Sequence, residues 1–298
     1  MAEPGQSSQA VAEDPLPEAL SLAQGAEQAG VGLKLLGGLA VRVLTPDLPP
    51  RLRAGQDIDF ACLSKGRKAA AAFLQDHGCQ PDRRFNNLNG DRQMYFVAPS
   101  GRPIDVMVDR LTMCHVLDFR PGFGRLPLTL DAIDILLSKL QIIELNEKDA
   151  RDIFQLLAGL PVGAAGAEGA AGAGGGAGAG GGASAGGGTG AAGAGGGAGA
   201  ADDAVSSSRF TLDTERFGQL LGGDWGWWRT VTGNLDKLPG LAAEKPELVP
   251  PGAPYDPLEH AAHLAETAHS APKGMKWKLR ANVGDRVRWY ELPEEVGH

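Results

Sequence analysis

Val31-Gly32-Leu33-Lys34-Leu35-Leu36-Gly37-Gly38-Leu39-Ala40-Val41-Arg42-Val43-Leu44 is the stretch on which the fold turns. Val31 to Leu36 read as a strand that runs into a glycine pair, and Leu39 to Leu44 begin a helix. Pro46, Pro49 and Pro50 stop that helix and make a loop. A strand, two residues without Cβ atoms and a helix N-terminus with free N–H groups together suit an anionic oxygen such as a phosphate. Next, Asp57-Ile58-Asp59-Phe60-Ala61-Cys62 alternates and predicts a second strand. Residues i and i+2 of a strand share a face, so Asp57 and Asp59 project together. Asp105, within Pro103-Ile104-Asp105-Val106, lies on a further strand over Arg102 to Val108.

The remaining elements follow from periodicity and punctuation. Pro17 to Ala29 predict a short helix, and Lys65 to His77 an Ala-rich helix ended by Gly78. Arg83 to Leu88 and Arg92 to Val97 flank Asn89-Gly90, which predicts a hairpin. Ser100-Gly101 turns the chain into the Asp105 strand, and Met113 to Phe119 read as a strand beside it. Leu128 to Leu145 and Glu147 to Leu160 carry apolar residues at i, i+3 and i+4 and predict two helices. The expected fold class is α/β (α+β): a mixed sheet with helices packed on it, followed by a mostly helical C-terminal region.

Gly163 to Ala201 is almost wholly Gly and Ala and holds twenty of the chain's 44 glycines. Glycine at half the positions works against a helix, and no large apolar side chain is present to bury. The stretch 163–204 is expected to be a low-complexity, flexible linker. It divides a disordered acidic N-terminus (1–18) and a domain at 19–162 from a helical, aromatic region at 205–298. In that last part Phe210 to Leu221, Asp224 to Leu238 and Leu258 to His269 look helical, and Lys276 to Leu292 alternate like two short strands around Gly284.

The chain of 298 residues is 43% hydrophobic and 21% charged, with a net charge of −8. That balance reads as globular and argues against a nucleic-acid clamp with a broad basic face. No apolar run approaches the roughly 18 residues of a membrane helix, and Met1 to Glu18 has neither the basic start nor the apolar core of a secretion signal. Cys62, Cys79 and Cys114 are odd in number and widely spaced, which fits free thiols in a reducing cytoplasm.

The chemistry concentrates on the acidic pair. Two carboxylates close together in a partly dry site repel and raise each other's pKa, so a cation is expected beside them. Magnesium takes hard oxygen ligands and is commonly shared with substrate phosphates; Mn2+ is the alternative ion. Asp105 as third carboxylate completes a clamp for phosphoryl or nucleotidyl transfer. Arg42, Arg51, Arg53, Arg83, Arg84 and Arg92 are candidates for a local basic patch that holds a triphosphate or an RNA end, against a plainer reading as scattered surface arginines.

Leu35-Leu36-Gly37-Gly38-Leu39-Ala40-Val41-Arg42, Gln56-Asp57-Ile58-Asp59-Phe60 and Ile104-Asp105-Val106 resemble, in this order, the nucleotidyltransferase superfamily with a polymerase-β-like fold. Asp134-Ile135-Leu136-Leu137-Ser138-Lys139 and Glu147-Lys148-Asp149-Ala150-Arg151-Asp152 resemble later motifs of its AbiEii-like, minimal nucleotidyltransferase branch, which includes toxins of toxin–antitoxin pairs. The resemblance spans about residues 30–160. It implies that Gly37 and Gly38 cradle the phosphates of an NTP, that Asp57, Asp59 and Asp105 hold Mg2+, that Lys139 faces the triphosphate, and that Asp149 serves nearby as a metal or base residue. It also implies an RNA or protein acceptor and an antitoxin-like partner. Leu39 stands where many members carry a Ser or Thr, and the span from Gly38 to Asp57 is longer than usual.

Other candidates read more plainly as structure. His260 and His263 lie on one helix face with no cysteine or fourth ligand nearby. Cys114 and His115 are adjacent on a strand and point to opposite faces. Trp225, Trp227 and Trp228 suit a small helical core better than base stacking. The basic, aromatic runs Lys276–Arg280 and Arg286–Tyr290 read as strands with solvated cations, or as a nucleic-acid contact.

Overall fold

The glycine pair opens a helix. In the computed structural model, which describes residues 14–50, 55–164 and 210–292, α1 (Leu16–Gln28) leads into β1 (Leu33–Leu35), and Gly37 starts α2 (Gly37–Leu44). Then come β2 (Ile58–Cys62), α3 (Arg67–Asp76), β3 (Gln80–Pro81), α4 (Arg83–Asn89), β4 (Gln93–Val97) and β5 (Pro103–Val108). These strands form one sheet in the order β1-β2-β5-β4-β3. β2 and β5 run parallel, and the other pairs are antiparallel. The sheet is therefore mixed, as expected. The alternation in β4 and β5 buries Met94, Phe96, Ile104, Val106 and Val108 on one face and turns Tyr95, Asp105 and Met107 to the other.

β6 (Arg110–Thr112) and β7 (Val116–Asp118) form a separate two-stranded ladder. α5 (Ala132–Leu140) and α6 (Glu147–Gly159) follow. α5 is shorter than the predicted Leu128–Leu145 helix. Residues 128–130 instead run along β1, with Leu35 N–H donating to Leu128 O and Leu130 N–H to Leu35 O. Asp131 then caps the helix by accepting from Ile133 N–H.

The linker expected at 163–204, apart from its first two residues, lies outside the described residues, as does most of the N-terminal stretch 1–18. On either side of residues 165–209, β8 (Val162–Gly163) and β9 (Leu212–Asp213) pair in parallel. α7 (Thr214–Gly223), α8 (Trp225–Leu235), α9 (Leu238–Glu244), α10 (Pro257–Ser270) and α11 (Met275–Val283) make the C-terminal region helical. Phe217, Trp227, Val231 and Leu264 belong to the same buried cluster as Phe60, Leu136 and Phe154. Two buried polar joints add to it. Arg216 donates to both oxygens of the fully buried Asp134, at 2.6 and 2.8 Å. Asn234 Nδ2 donates to the Leu140 and Ile142 carbonyls at 2.9 and 2.7 Å, closing the end of α5. Among the described residues no helix is long and apolar enough to cross a membrane.

Two local expectations are overturned. Asn89-Gly90 is not a hairpin turn, because residues 83–89 are helical. Asp82 caps that helix by accepting from Phe85 N–H at 2.8 Å. The Asn86 amide clasps the backbone of Tyr95 through both its atoms, at 3.0 and 2.6 Å. Gly90 has φ −64°, not the positive φ of a type I′ turn. The hairpin forms one turn later, between β4 and β5, where Gly101 has φ +84°. Lys276 to Leu292 likewise form no strands: α11 runs to Val283, Gly284 breaks it at φ +60°, and a single 3-10 turn follows.

Candidate active site

Backbone register brings the acidic residues together. Asp59 and Asp105 are direct partners on the parallel strands β2 and β5, so their side chains leave the same face of the sheet. Asp57, two residues before Asp59, lies on the wall of a cleft of about 970 Å3 that Asp59, Gly37, Gly38 and Lys139 also line. Tyr95 pairs with Asp105 from the other side, and Gln93 Nε2 donates to Asp105 Oδ1 at 2.6 Å. Asp105 thus sits behind Gln93, next to Asp59.

Gly37 is required where it stands. Its φ of +69° is left-handed, and a Cβ there would overlap Asp59 Oδ2 and lie 3.0 Å from Asp59 Cγ. The Asp59 carboxylate occupies the space a side chain would take. Leu36 N–H also donates to Asp59 O at 2.9 Å, which ties the loop to β2. α2 has no side-chain cap at its N-terminus, so its first N–H groups stay available.

The cluster carries an excess of negative charge. Burial pushes the Asp59 carboxyl up to about 7; Lys139 pulls it down, and Asp105 and Asp57 raise it. The Tyr95 hydroxyl is raised too, by burial and then by Asp105 and Asp57. Burial is the larger cause of both shifts, and the neighbouring carboxylates add to it.

Lys139, near the end of α5, crosses to α6. Its Nζ lies 3.0 Å from Asp149 Oδ1 and 3.0 Å from Asp152 Oδ2. Burial works against the ammonium, but Asp152 and Asp149 outweigh it and hold the pKa above its ordinary value. Asn146 caps α6 and donates from Nδ2 to Asp149 Oδ2 at 2.8 Å. Asp149 and Asp152, at i and i+3, share one face of α6 and grip Lys139 together. Asp134, five residues before Lys139, takes no part and binds Arg216 instead.

Arg42 is the one candidate site residue that points elsewhere. It is buried on the far part of α2, where it donates to both oxygens of Asp14 at 2.6 and 2.7 Å. It lines a separate apolar hollow of about 400 Å3 with Leu16, Leu20 and Leu48. Five residues, more than one helix turn, separate it from Gly37, so α2 carries it away from the cleft. Of the proposed arginine patch, Arg51 and Arg53 lie outside the described residues, Arg83 and Arg84 sit on α4, and Arg92 borders a neighbouring hollow.

Gln93, Asn146 and Asp152 complete the site without having been singled out as site residues. Asn146 had a legible signal, an Asx residue before an amphipathic helix. Gln93 had none, because its place beside Asp105 follows from the pairing of β4 with β5. The other candidates are structural. Trp225 and Trp227 are buried; His115 stacks on Trp227 at 5.0 Å and bonds Thr230 Oγ1; and the His260 ring bonds Leu157 O. All three cysteines are free and buried.

No protein-family model matches the chain. No curated protein matches it either. Among solved structures, the crystal structure of an antigenic nucleotidyltransferase-like protein from Paracoccidioides brasiliensis is similar over 50% of this chain and 77% of its own, with a TM-score of 0.32 and 16% sequence identity.

Proposed function

We propose that this chain is a nucleotidyltransferase that moves a nucleoside monophosphate from an NTP to a hydroxyl acceptor and releases pyrophosphate. The observation that carries the reading is the in-register pair Asp59 and Asp105, with Asp59 and Asp57 on the wall of a glycine-floored cleft. The acceptor oxygen forms a bond to the α-phosphorus, the α–β bridge bond breaks, pyrophosphate leaves, and the hydroxyl proton passes to a carboxylate of the cluster.

The donor set fits a hard divalent cation. Asp57 and Asp59 offer carboxylate oxygens on the cleft wall, and Asp149 and Asp152 already engage the cleft's buried ammonium, Lys139. Among the described residues no three-ligand group stands preassembled, so substrate phosphate oxygens and water would complete the shell. Asp57, Asp59 and Asp105 would hold Mg2+, or Mn2+, which when bound supplies Lewis acidity to the phosphoryl oxygens. Gly37, Gly38 and the open N-terminus of α2 would receive the phosphates. Lys139 has three N–H donors; two face carboxylates, and the third would reach the triphosphate. Asp149 then acts by holding Lys139, as a positioning residue.

A second reading, a non-catalytic nucleotide-binding module, is favoured by one contact, the Gln93 amide on Asp105 Oδ1. Pyrophosphate release from each of the four NTPs with magnesium separates the two. Wild type should release it, and an Asp57→Ala, Asp59→Ala double variant or added EDTA should abolish release. Nucleotide binding with no release from wild type, with RNA or lysate protein as acceptor, would establish the module. The toxin role and the antitoxin-like partner stand on the motif resemblance alone. Growth arrest on expression, lost in the same double variant, would support them.

A further inference from the structure

We infer that the outer face of α11 is a docking surface for an anionic lipid bilayer, on which the protein lies without spanning it. α11 carries apolar residues on two opposite faces. Trp277 faces inward and meets the Trp228 ring edge-to-face, with centroids 5.3 Å apart. Arg280 lies over the Trp225 ring at 4.6 Å and donates to Gly284 O at 2.7 Å. Gly274 N–H donates to Gly222 O at 3.1 Å and pins the start of the helix. These contacts use the inner face. Met275, Leu279 and Val283 recur every fourth residue and share the other one. They are 75%, 61% and 38% exposed. Single exposed apolar side chains are ordinary, but three stacked along one helix form a contiguous patch that the fold itself does not use.

Charge says what covers it. Helical geometry sets Lys276 on one flank of the stripe and Lys278 on the other, and both are exposed. Between residues 271 and 290 the chain has six cations, Lys273, Lys276, Lys278, Arg280, Arg286 and Arg288, against one acid, Asp285. Arg229 engages that acid at 3.2 Å. In a protein of net charge −8 this is a local reversal of sign. The partner is therefore anionic, and it takes up aliphatic side chains.

A second copy of the chain would set these lysines against their equals. A stable protein interface needs about 20–30 residues a side, whereas α11 is nine residues long with its inner face already taken. A single-stranded nucleic acid stacks its bases on exposed rings, but the ring of this helix, Trp277, is turned inward and the outer face is aliphatic. A bilayer sets no minimum footprint: binding grows with the apolar area inserted and with the charge facing anionic headgroups. Met275, Leu279 and Val283 would enter the boundary between headgroups and acyl chains. The lysine stems would run along it, with their ammonium groups on the phosphates. Because α11 is already folded against α8, no helix has to form on contact, which lowers the entropic cost of binding.

Co-sedimentation of the full chain with lipid vesicles, without NTP, tests this. Wild type should bind vesicles of phosphatidylcholine and phosphatidylglycerol and should not bind phosphatidylcholine alone. The Lys276→Gln, Lys278→Gln variant should bind about 25-fold more weakly, near fivefold for each charge. Met275→Ser, Leu279→Ser should weaken binding about tenfold or more with the salt dependence unchanged. The four side chains are exposed, so both variants should keep the urea midpoint of wild type. No binding of wild type to the mixed vesicles at low salt, or equal binding by the Met275→Ser, Leu279→Ser variant, overturns the inference. So does a single-stranded oligonucleotide that binds more tightly than the vesicles at equal phosphate concentration, or a dimer in sedimentation that the same variant dissociates. Pyrophosphate release plays no part in the readout, so the transferase reading stands or falls separately.

Discussion

Replacing Gly37 with alanine tests the geometry on which the site depends. Two costs are expected. The residue has φ +69°, and forcing an L side chain into that region costs about 1–2 kcal/mol. The new Cβ would also overlap the Asp59 carboxylate, and crowding of this kind costs about 1–3 kcal/mol. The sum is about 2–5 kcal/mol of stability, read from urea unfolding. Gly30 supplies the control: its φ is +68°, and a Cβ there meets nothing within 4 Å. Gly30→Ala should therefore cost only the backbone part, about 1–2 kcal/mol. A double-mutant cycle isolates the crowding. In an Asp59→Ala background, Gly37→Ala should fall to the Gly30 value, a coupling of about 1–3 kcal/mol. Activity should suffer beyond stability, because the Asp59 carboxylate can yield only by leaving its place, and a displacement of that size costs about 100-fold in turnover. Equal losses at Gly37 and Gly30, or a cycle with no coupling, would refute the account of the glycine floor.

Three further outcomes follow from buried polar groups. Burial pushes the His115 imidazole down to about 4, with Asp224 opposing, while the unfolded chain titrates near 6.5. The unfolded state therefore binds the extra proton, and stability present above about 6.5 should be lost as pH falls toward 4, by up to about 3 kcal/mol; His115→Phe should remove that dependence in urea titrations. Arg216→Leu leaves Asp134 fully buried without its partner and should cost about 3–5 kcal/mol at neutral pH. Burial already pushes the Asp134 carboxyl up to about 7 against the pull of Arg216, so the loss should be smaller at pH 5, where Asp134 is protonated, than at pH 8. Arg42→Met breaks the pair with Asp14, whose carboxyl Arg42 holds down to about 2. It should lower stability by about 1–3 kcal/mol and leave pyrophosphate release unchanged, since Arg42 lies off the cleft.

Local sequence determined much of this protein. The strand, glycine pair and helix around Gly37, the alternation of Asp57 and Asp59, and the helical spacing of Asp149 and Asp152 are short-range patterns, and the backbone obeys them because each needs only its own neighbours. The same kind of reading failed where a distant partner decided. Asn89-Gly90 carries a turn signal, but Asp82 caps the segment by accepting from Phe85 N–H, the Tyr95 backbone holds Asn86, and residues 83–89 are a helix. Lys276 to Leu292 alternate, yet a strand needs an edge to pair with, and the chain coils into α11 instead. Arg42 reads as a phosphate ligand until the turn of α2 sends it to Asp14. Only the tertiary structure decided that Asp105 stands beside Asp59, because strand register is a long-range choice made by the packing of the buried face. It alone placed Arg92, Arg110 and Arg288 around one hollow, since residues so far apart in the chain meet only when the sheet, the small ladder and residues 288–292 have come together.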